Sequence, residues 1–233
     1  LKKSIGECPK VLIVGEIYVR RDDFAVDELV RLLSKKGIIA KVSGITEWIH
    51  YTDYVRKTEL KKLLGLLPWY RRLFSKPMKD FILWKIEFLW KHSVENKIKK
   101  ALAPTGLIPH TPHDMDEIMG LANNTFVTTE LESEICISSG VATTAMLDDY
   151  SGIVVISPFA CLIGRVLEGI LTPWFRERNL PIIAVEVDGN MLPPNIVNKL
   201  EIFMLNVMRF RSDPDAAHLV EQIEEEISLS RKI

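Results

Sequence analysis

Cys161 is the residue of this sequence best placed to do chemistry. It follows the apolar run Gly152–Ser157 (GIVVIS) and the turn Pro158-Phe159-Ala160, and it opens a helical stretch, Leu162–Arg178. A helix N-terminus carries free N–H groups and the positive end of the helix dipole, so it favours negative charge. A cysteine there suits a metal-ligand or nucleophile role; it suits equally a small buried residue closing the turn. Two further apolar runs end in polar corners. Lys10–Glu16 (KVLIVGE) ends in Gly15-Glu16, and Leu180–Val187 (LPIIAVEV) ends in Asp188-Gly189-Asn190. Ligands of open parallel sheets bind outside the carboxyl ends of the strands, so these three corners are expected to converge in space.

Each other candidate has an ordinary reading beside the functional one. Glu16 offers a carboxylate to a ligand or, as the default, caps a neighbouring helix. Asp188 with Gly189 also fits a plain turn. Glu134 falls on a predicted helix, where a solvated carboxylate is the default. Cys8 precedes the first strand and reads as incidental, while Cys136 reads as a helix-face cysteine packed in the core. His110 and His113 stand near Asp114 and Asp116, but Pro109 and Pro112 interleave with them and no metal-ligand spacing is matched. No GxGxxG, GxxxxGK[ST] or CxxC motif is present, so neither a dinucleotide fingerprint nor a Walker A loop is expected.

The elements that must position these residues follow from the pattern. Lys10–Glu16 reads as a buried strand, Asp22–Lys36 as a helix whose Phe24, Leu29, Val30, Leu32 and Leu33 face one way, and Ile38–Val42 as a second strand. Gly37 is a helix stop. Thr46–Tyr54 reads as a loop or short helix, and Val55–Ala103 as mostly helical with breaks at Pro68 and Pro77. The aromatic segment from Trp69 to Trp90 is expected to pack as core against the sheet. A short helix around Asp114–Ala122 and a longer one over Glu130–Leu147 precede the last third. There, strands Gly152–Ser157 and Leu180–Val187 alternate with helices Leu162–Arg178 and Pro194–Phe210, and a final helix starts at Ser212-Asp213-Pro214. Repeated strand–loop–helix units predict parallel strands with right-handed crossovers. The expected fold is α/β, a Rossmann-like or flavodoxin-like doubly wound parallel sheet over residues 8–210. A mainly helical insertion covers residues 55–124, and a C-terminal helix covers 211–233.

Composition narrows the function. Apolar residues make up 47% of the 233, enough for a substantial core, and 30 basic against 31 acidic residues argue against a general polyanion binder. No partner nucleic acid and no membrane are expected, since no long uncharged apolar run appears. Three widely spaced cysteines do not make a disulfide framework, which fits a reducing cytoplasm. The opening Leu1-Lys2-Lys3-Ser4 is neither a signal peptide nor an initiator, so the chain reads as a piece of a longer protein.

Several segments, in order, resemble the C-terminal module of activase-related proteins of the 2-hydroxyacyl-CoA dehydratase superfamily. They are VGEIYVR (Val14–Arg20), EWIHYTDY (Glu47–Tyr54), SEICISSG (Ser133–Gly140, like the family's GEAVLSVG), PFACLIG (Pro158–Gly164, like PFxCMPG), VDGN (Val187–Asn190, like YDGQ) and LEIF (Leu200–Phe203, like LEAF). The resemblance spans roughly Lys10 to Met208. It implies a flavodoxin-like or Rossmann-like module among oxygen-sensitive iron–sulfur proteins of anaerobes. There an ATP-hydrolysing activase passes an electron to a partner's cluster and a dehydratase eliminates water from a 2-hydroxyacyl-CoA. By this match Cys161 holds the ligand position of a [4Fe-4S] cluster, and Glu16, Glu134, Asp188 and Gly189 fall at motif positions as cofactor-binding candidates. The implied partners are another cysteine-bearing domain or subunit, an activase-type ATPase domain and an acyl-CoA ligand. Two departures matter: Ile163 replaces the family's second proline in the turn, and Ser133 replaces its glycine. The chain alone is therefore expected to hold an incomplete cluster and not to be an active enzyme by itself. The rival readings are a binding or scaffold module that has lost the cluster, and a thiol enzyme, for which no histidine falls at a predicted strand end.

Overall fold

A computed structural model of the chain describes residues 7–105, 114–213, 220–221 and 223–225. Four strands form one sheet: β1 (Lys10–Gly15), β2 (Ile39–Val42), β3 (Gly152–Pro158) and β4 (Ile182–Val187). All neighbours are parallel, in the order β2-β1-β3-β4. Among the described residues the α-helices that accompany them are α1 (Asp23–Lys35), α2 (Ile45–Leu66), α3 (Trp69–Arg72), α4 (Lys76–Leu102), α5 (Met115–Thr125), α6 (Glu134–Leu147), α7 (Leu162–Glu177) and α8 (Pro194–Ser212). The chain divides into two compact units, residues 44–116 and the remainder.

The α/β unit is doubly wound, as the alternating pattern predicts. Consecutive strand residues point to opposite faces. Val11 and Ile13 of β1, Val154 and Ile156 of β3, and Ile183 and Val185 of β4 share a core with Leu29 and Leu33 of α1 and Leu200, Phe203, Met204 and Val207 of α8. The intervening Leu12, Val14, Ile153 and Val155 are buried as well, and α6 and α7 pack on β1, β3 and β4. Strands covered on both faces must be apolar throughout, which is why they read as continuous runs. The order 2-1-3-4 is the flavodoxin-like one, and its topological switch point lies between β1 and β3. Gly15-Glu16 and the Cys161 turn leave the sheet on these two strands.

The boundaries hold with local exceptions. The helix expected over Glu130–Leu147 begins later. Thr129–Leu131 forms a 3₁₀ turn, Glu132 takes a left-handed conformation (φ 43°), and the Ser133 hydroxyl accepts the Ile135 N–H at 3.3 Å to start α6. At the C-terminus α8 ends at Ser212; Val220, Glu221 and Ile223–Glu225 are helical, and Pro214 lies outside the described residues.

The helical unit departs further from expectation. Thr46–Tyr54 is no loop but the first part of the 22-residue α2. The Glu47 carboxylate accepts the Gly44 N–H at 3.3 Å, and packing on α4 overrides the weak helix propensity of its aromatic and β-branched residues. Pro77 opens α4 rather than breaking it; the Ser75 hydroxyl accepts the Met78 N–H at 3.3 Å. The aromatic segment is not sheet core: Trp69, Phe74 and Trp90 are 81%, 82% and 69% exposed, and Trp84 alone of these tryptophans is buried. Apolar residues surround α4, while α2 covers one stripe of it. No helix among the described residues is long and apolar enough to cross a membrane.

Candidate functional site

At the carboxyl end of β1 the chain turns sharply. Gly15 has φ 122°, and a Cβ there would lie 2.0 Å from the Ile156 carbonyl oxygen of β3, so only glycine lets the two strand ends approach. The Glu16 N–H donates to that carbonyl at 3.1 Å. Its carboxylate accepts the Val19 N–H at 2.9 Å and caps the 3₁₀ turn Val19–Arg21. Capping is the default expected for Glu16, and it fixes the loop over the switch point.

Glu134 is buried, not the solvated carboxylate expected of it. It opens α6, whose residues from Glu134 to Met146 are all buried. One carboxylate oxygen accepts the Ile17 N–H at 3.4 Å; the other is buried without a hydrogen-bond partner. Burial and then the negative charge of Glu16 push the Glu134 carboxyl above its ordinary value, against the Ile17 N–H and the buried Arg20 guanidinium, which pull it down. Glu16, Glu134 and Arg20 thus form one charged group around the β1 corner, a grouping that neither the spacing nor the helical pattern of the sequence reveals.

Cys161 is the N-cap of α7 and half-buried. Its turn is firmly tied to the sheet. The Phe159 N–H donates to the Val187 carbonyl at 2.8 Å and the Cys161 N–H to the Pro158 carbonyl at 3.1 Å. Glu186 at the end of β4 accepts the Ala160 N–H at 3.3 Å and the Arg165 guanidinium at 2.7 Å. Gly164 presses on β3: a Cβ there would lie 2.1 Å from the Ser157 hydroxyl oxygen. The Cys161 side chain makes no capping hydrogen bond to the first turn of α7, whose N–H groups follow directly after the thiol in the chain. Strand order places this turn between the β1 and β4 corners. The loops leaving the three strands expose Tyr18, Phe159, Leu162 and Met191.

Asp188 and Gly189 form the β4 corner. The Asp188 carboxylate accepts the Asn190 N–H at 3.0 Å and Gly189 has φ 84°, the plain turn that the sequence also allowed. The other cysteines do not join Cys161. Cys8 is buried before β1, at the opposite end of the sheet, and Cys136 is fully buried with its sulfur 3.6 Å from the Thr128 carbonyl oxygen. Two concavities of about 410 and 290 Å³ lie away from the carboxyl ends of the strands, one beside Tyr150 and Arg211, the other along the β4 edge. His110 and His113 lie outside the described residues.

His50, His92 and Glu95 form no recognisable motif in the sequence, yet these side chains meet between α2 and α4. His92 and Glu95 are three apart on one helix, a spacing that signals a shared face; His50 is 42 positions upstream, and no local pattern announces it. The chain matches no known family model, no curated protein and no solved structure.

Proposed function

We propose that the α/β unit is a module of an iron–sulfur electron-transfer system related to 2-hydroxyacyl-CoA dehydratase and its activase. In this reading Cys161 gives one thiolate to a [4Fe-4S] cluster shared with another cysteine-bearing domain or subunit. The observation that carries it is the position of Cys161: a half-buried thiol at the uncapped N-terminus of a 16-residue helix, on a strand that borders the switch point of the sheet. The donor set of this chain fits one ligand position and no more, because Cys8 and Cys136 are buried elsewhere. The apolar side chains exposed on the three loops favour completion of the site by a second protein body. When bound, such a cluster supplies one-electron chemistry. The chain's own part is to hold the sulfur in a rigid turn and to place helix N–H groups around negative charge.

The second reading is a scaffold of the same fold without a cluster. Ile163 at the family's proline position favours it, as do the carboxylates of Glu16 and Asp188, which are engaged in their own turns. Anaerobic purification from the native source, with iron and acid-labile sulfide assays and EPR, separates the two. The cluster reading expects iron and sulfide that Cys161→Ala loses and Cys8→Ala keeps. Unchanged iron in Cys161→Ala, or none in the parent chain, supports the scaffold.

A further inference from the structure

Within the helical unit, α2 and α4 bring two imidazoles and a carboxylate together. His50 on α2 presents Nε2 to a Glu95 carboxylate oxygen on α4 in a direct hydrogen bond. His92 stands one turn before Glu95 on the same face, and its ring centroid is 5.2 Å from that of His50. One ligand atom from each of the three lies within 4.8 Å of the others. All three side chains are partly buried, with His50 14% and Glu95 13% exposed.

Three observations separate this cluster from an ordinary ion pair. First, Nδ1 of His92 and Nδ1 of His50 are buried without hydrogen-bond partners. A buried ring nitrogen left unpaired is costly, and a metal bond or a newly oriented ring would satisfy it. Second, the rings are held. His92 stacks on Phe88 at 4.8 Å between centroids, and Phe88 stacks on Trp84 at 5.3 Å. Third, Lys99 binds the other Glu95 oxygen at 2.6 Å, which leaves one oxygen to face the histidines.

We propose that His50, His92 and Glu95 form a binding site for one divalent transition-metal ion of the Zn²⁺ type, which clasps α2 to α4. Two imidazoles and a carboxylate are a donor set that Zn²⁺ accepts, with a fourth position left to water. Tetrahedral Zn²⁺ with bonds of about 2.0–2.1 Å holds its ligand atoms about 3.4 Å apart. Small side-chain rotations reach that spacing: the hydrogen-bonded His50–Glu95 pair opens, and the ion replaces the proton they share. Lys99 then orients the carboxylate from behind, and the neighbouring Asp53–Lys91 pair at 2.6 Å continues the polar seam. The site is independent of Cys161, and failure of either assignment leaves the other standing.

The test is Zn²⁺ titration of the metal-stripped chain by calorimetry, in a Cys161→Ala background so that this half-buried thiol is not counted. One ion per chain is expected. His50→Ala and Glu95→Gln are each expected to weaken binding by at least about tenfold. His92→Phe keeps the aromatic stack, and its circular dichroism controls for folding. With Co²⁺ in place of Zn²⁺, the parent is expected to show visible d–d bands that His92→Phe abolishes. No binding by the stripped chain, or a folded His92→Phe variant that binds Zn²⁺ as tightly as the parent, overturns the proposal.

Discussion

Along α6 every residue from Glu134 to Met146 is buried, whereas along the 27-residue α4 only Trp84 is. The two helices belong to different units and are held by different physics. α6 sits in the layers around a parallel sheet, where close packing on all sides excludes water from even Ser139 and Thr143. α4 is held along one stripe by α2, through Leu60 and Trp84 and through a ladder of polar pairs: His50–Glu95, Asp53–Lys91 and Arg56–Glu87. Its other faces leave Ile82, Ile86, Trp90 and Ile98 in solvent. The sheet unit therefore offers a rigid frame for a strand-end site. The helical unit relies on a few contacts, so each of its polar pairs matters more to local order.

Four substitutions break or sharpen this contrast. The largest effect belongs to the sheet unit. Phe175 on α7 is fully buried, and Phe175→Ala is expected to cost about 3–5 kcal/mol by urea denaturation, through lost burial and the cavity left behind. Next comes Lys91→Ala, which strands the Asp53 carboxylate, only 7% exposed, without its ion-pair partner. It is expected to cost about 1–3 kcal/mol, seen as faster hydrogen exchange confined to α2 and α4.

Glu134→Gln acts in the opposite direction. Burial and the Glu16 charge raise the Glu134 carboxyl above its ordinary 4.5, so the folded chain holds that proton more tightly than the unfolded chain does. Stability then falls as pH rises through the window above 4.5. Glutamine keeps an acceptor for the Ile17 N–H and removes the charge. The variant is expected to be more stable than the parent at pH 8 and no more stable at pH 4, read from melting curves at both. The smallest effect is Trp90→Ser, at an exposed position of α4, expected to shift stability by less than about 0.5 kcal/mol. A large loss there would mean that α4 is covered in solution.

Much of the frame was legible in the sequence for a physical reason. Strands buried on both faces must be continuous apolar runs, so Lys10–Glu16 and Gly152–Ser157 stood out; Leu180–Val187 did too, although its edge strand is fully buried on one face only, and the corners after them followed. The Asp188-Gly189 turn and the capping role of Glu16 were read from local chemistry alone. The burial of Glu134 was not, because it depends on how the first turn of α6 meets the β1 corner, a contact across 117 residues. The continuity of α2 was missed because aromatic and β-branched residues carry weak helical preference and tertiary packing decided. The exposed faces of α4 were missed because apolar content signals burial without saying whether a partner surface exists within the chain.

Differential alkylation of the native protein, mapped by peptide mass spectrometry under anaerobic conditions, tests the role of Cys161 most directly. The account predicts rapid modification at Cys161 in iron-free protein, protection there once iron and sulfide are restored with the partner present, and little labelling of Cys8 or Cys136 in either state. Labelling of Cys161 that proceeds equally fast with and without iron would contradict it.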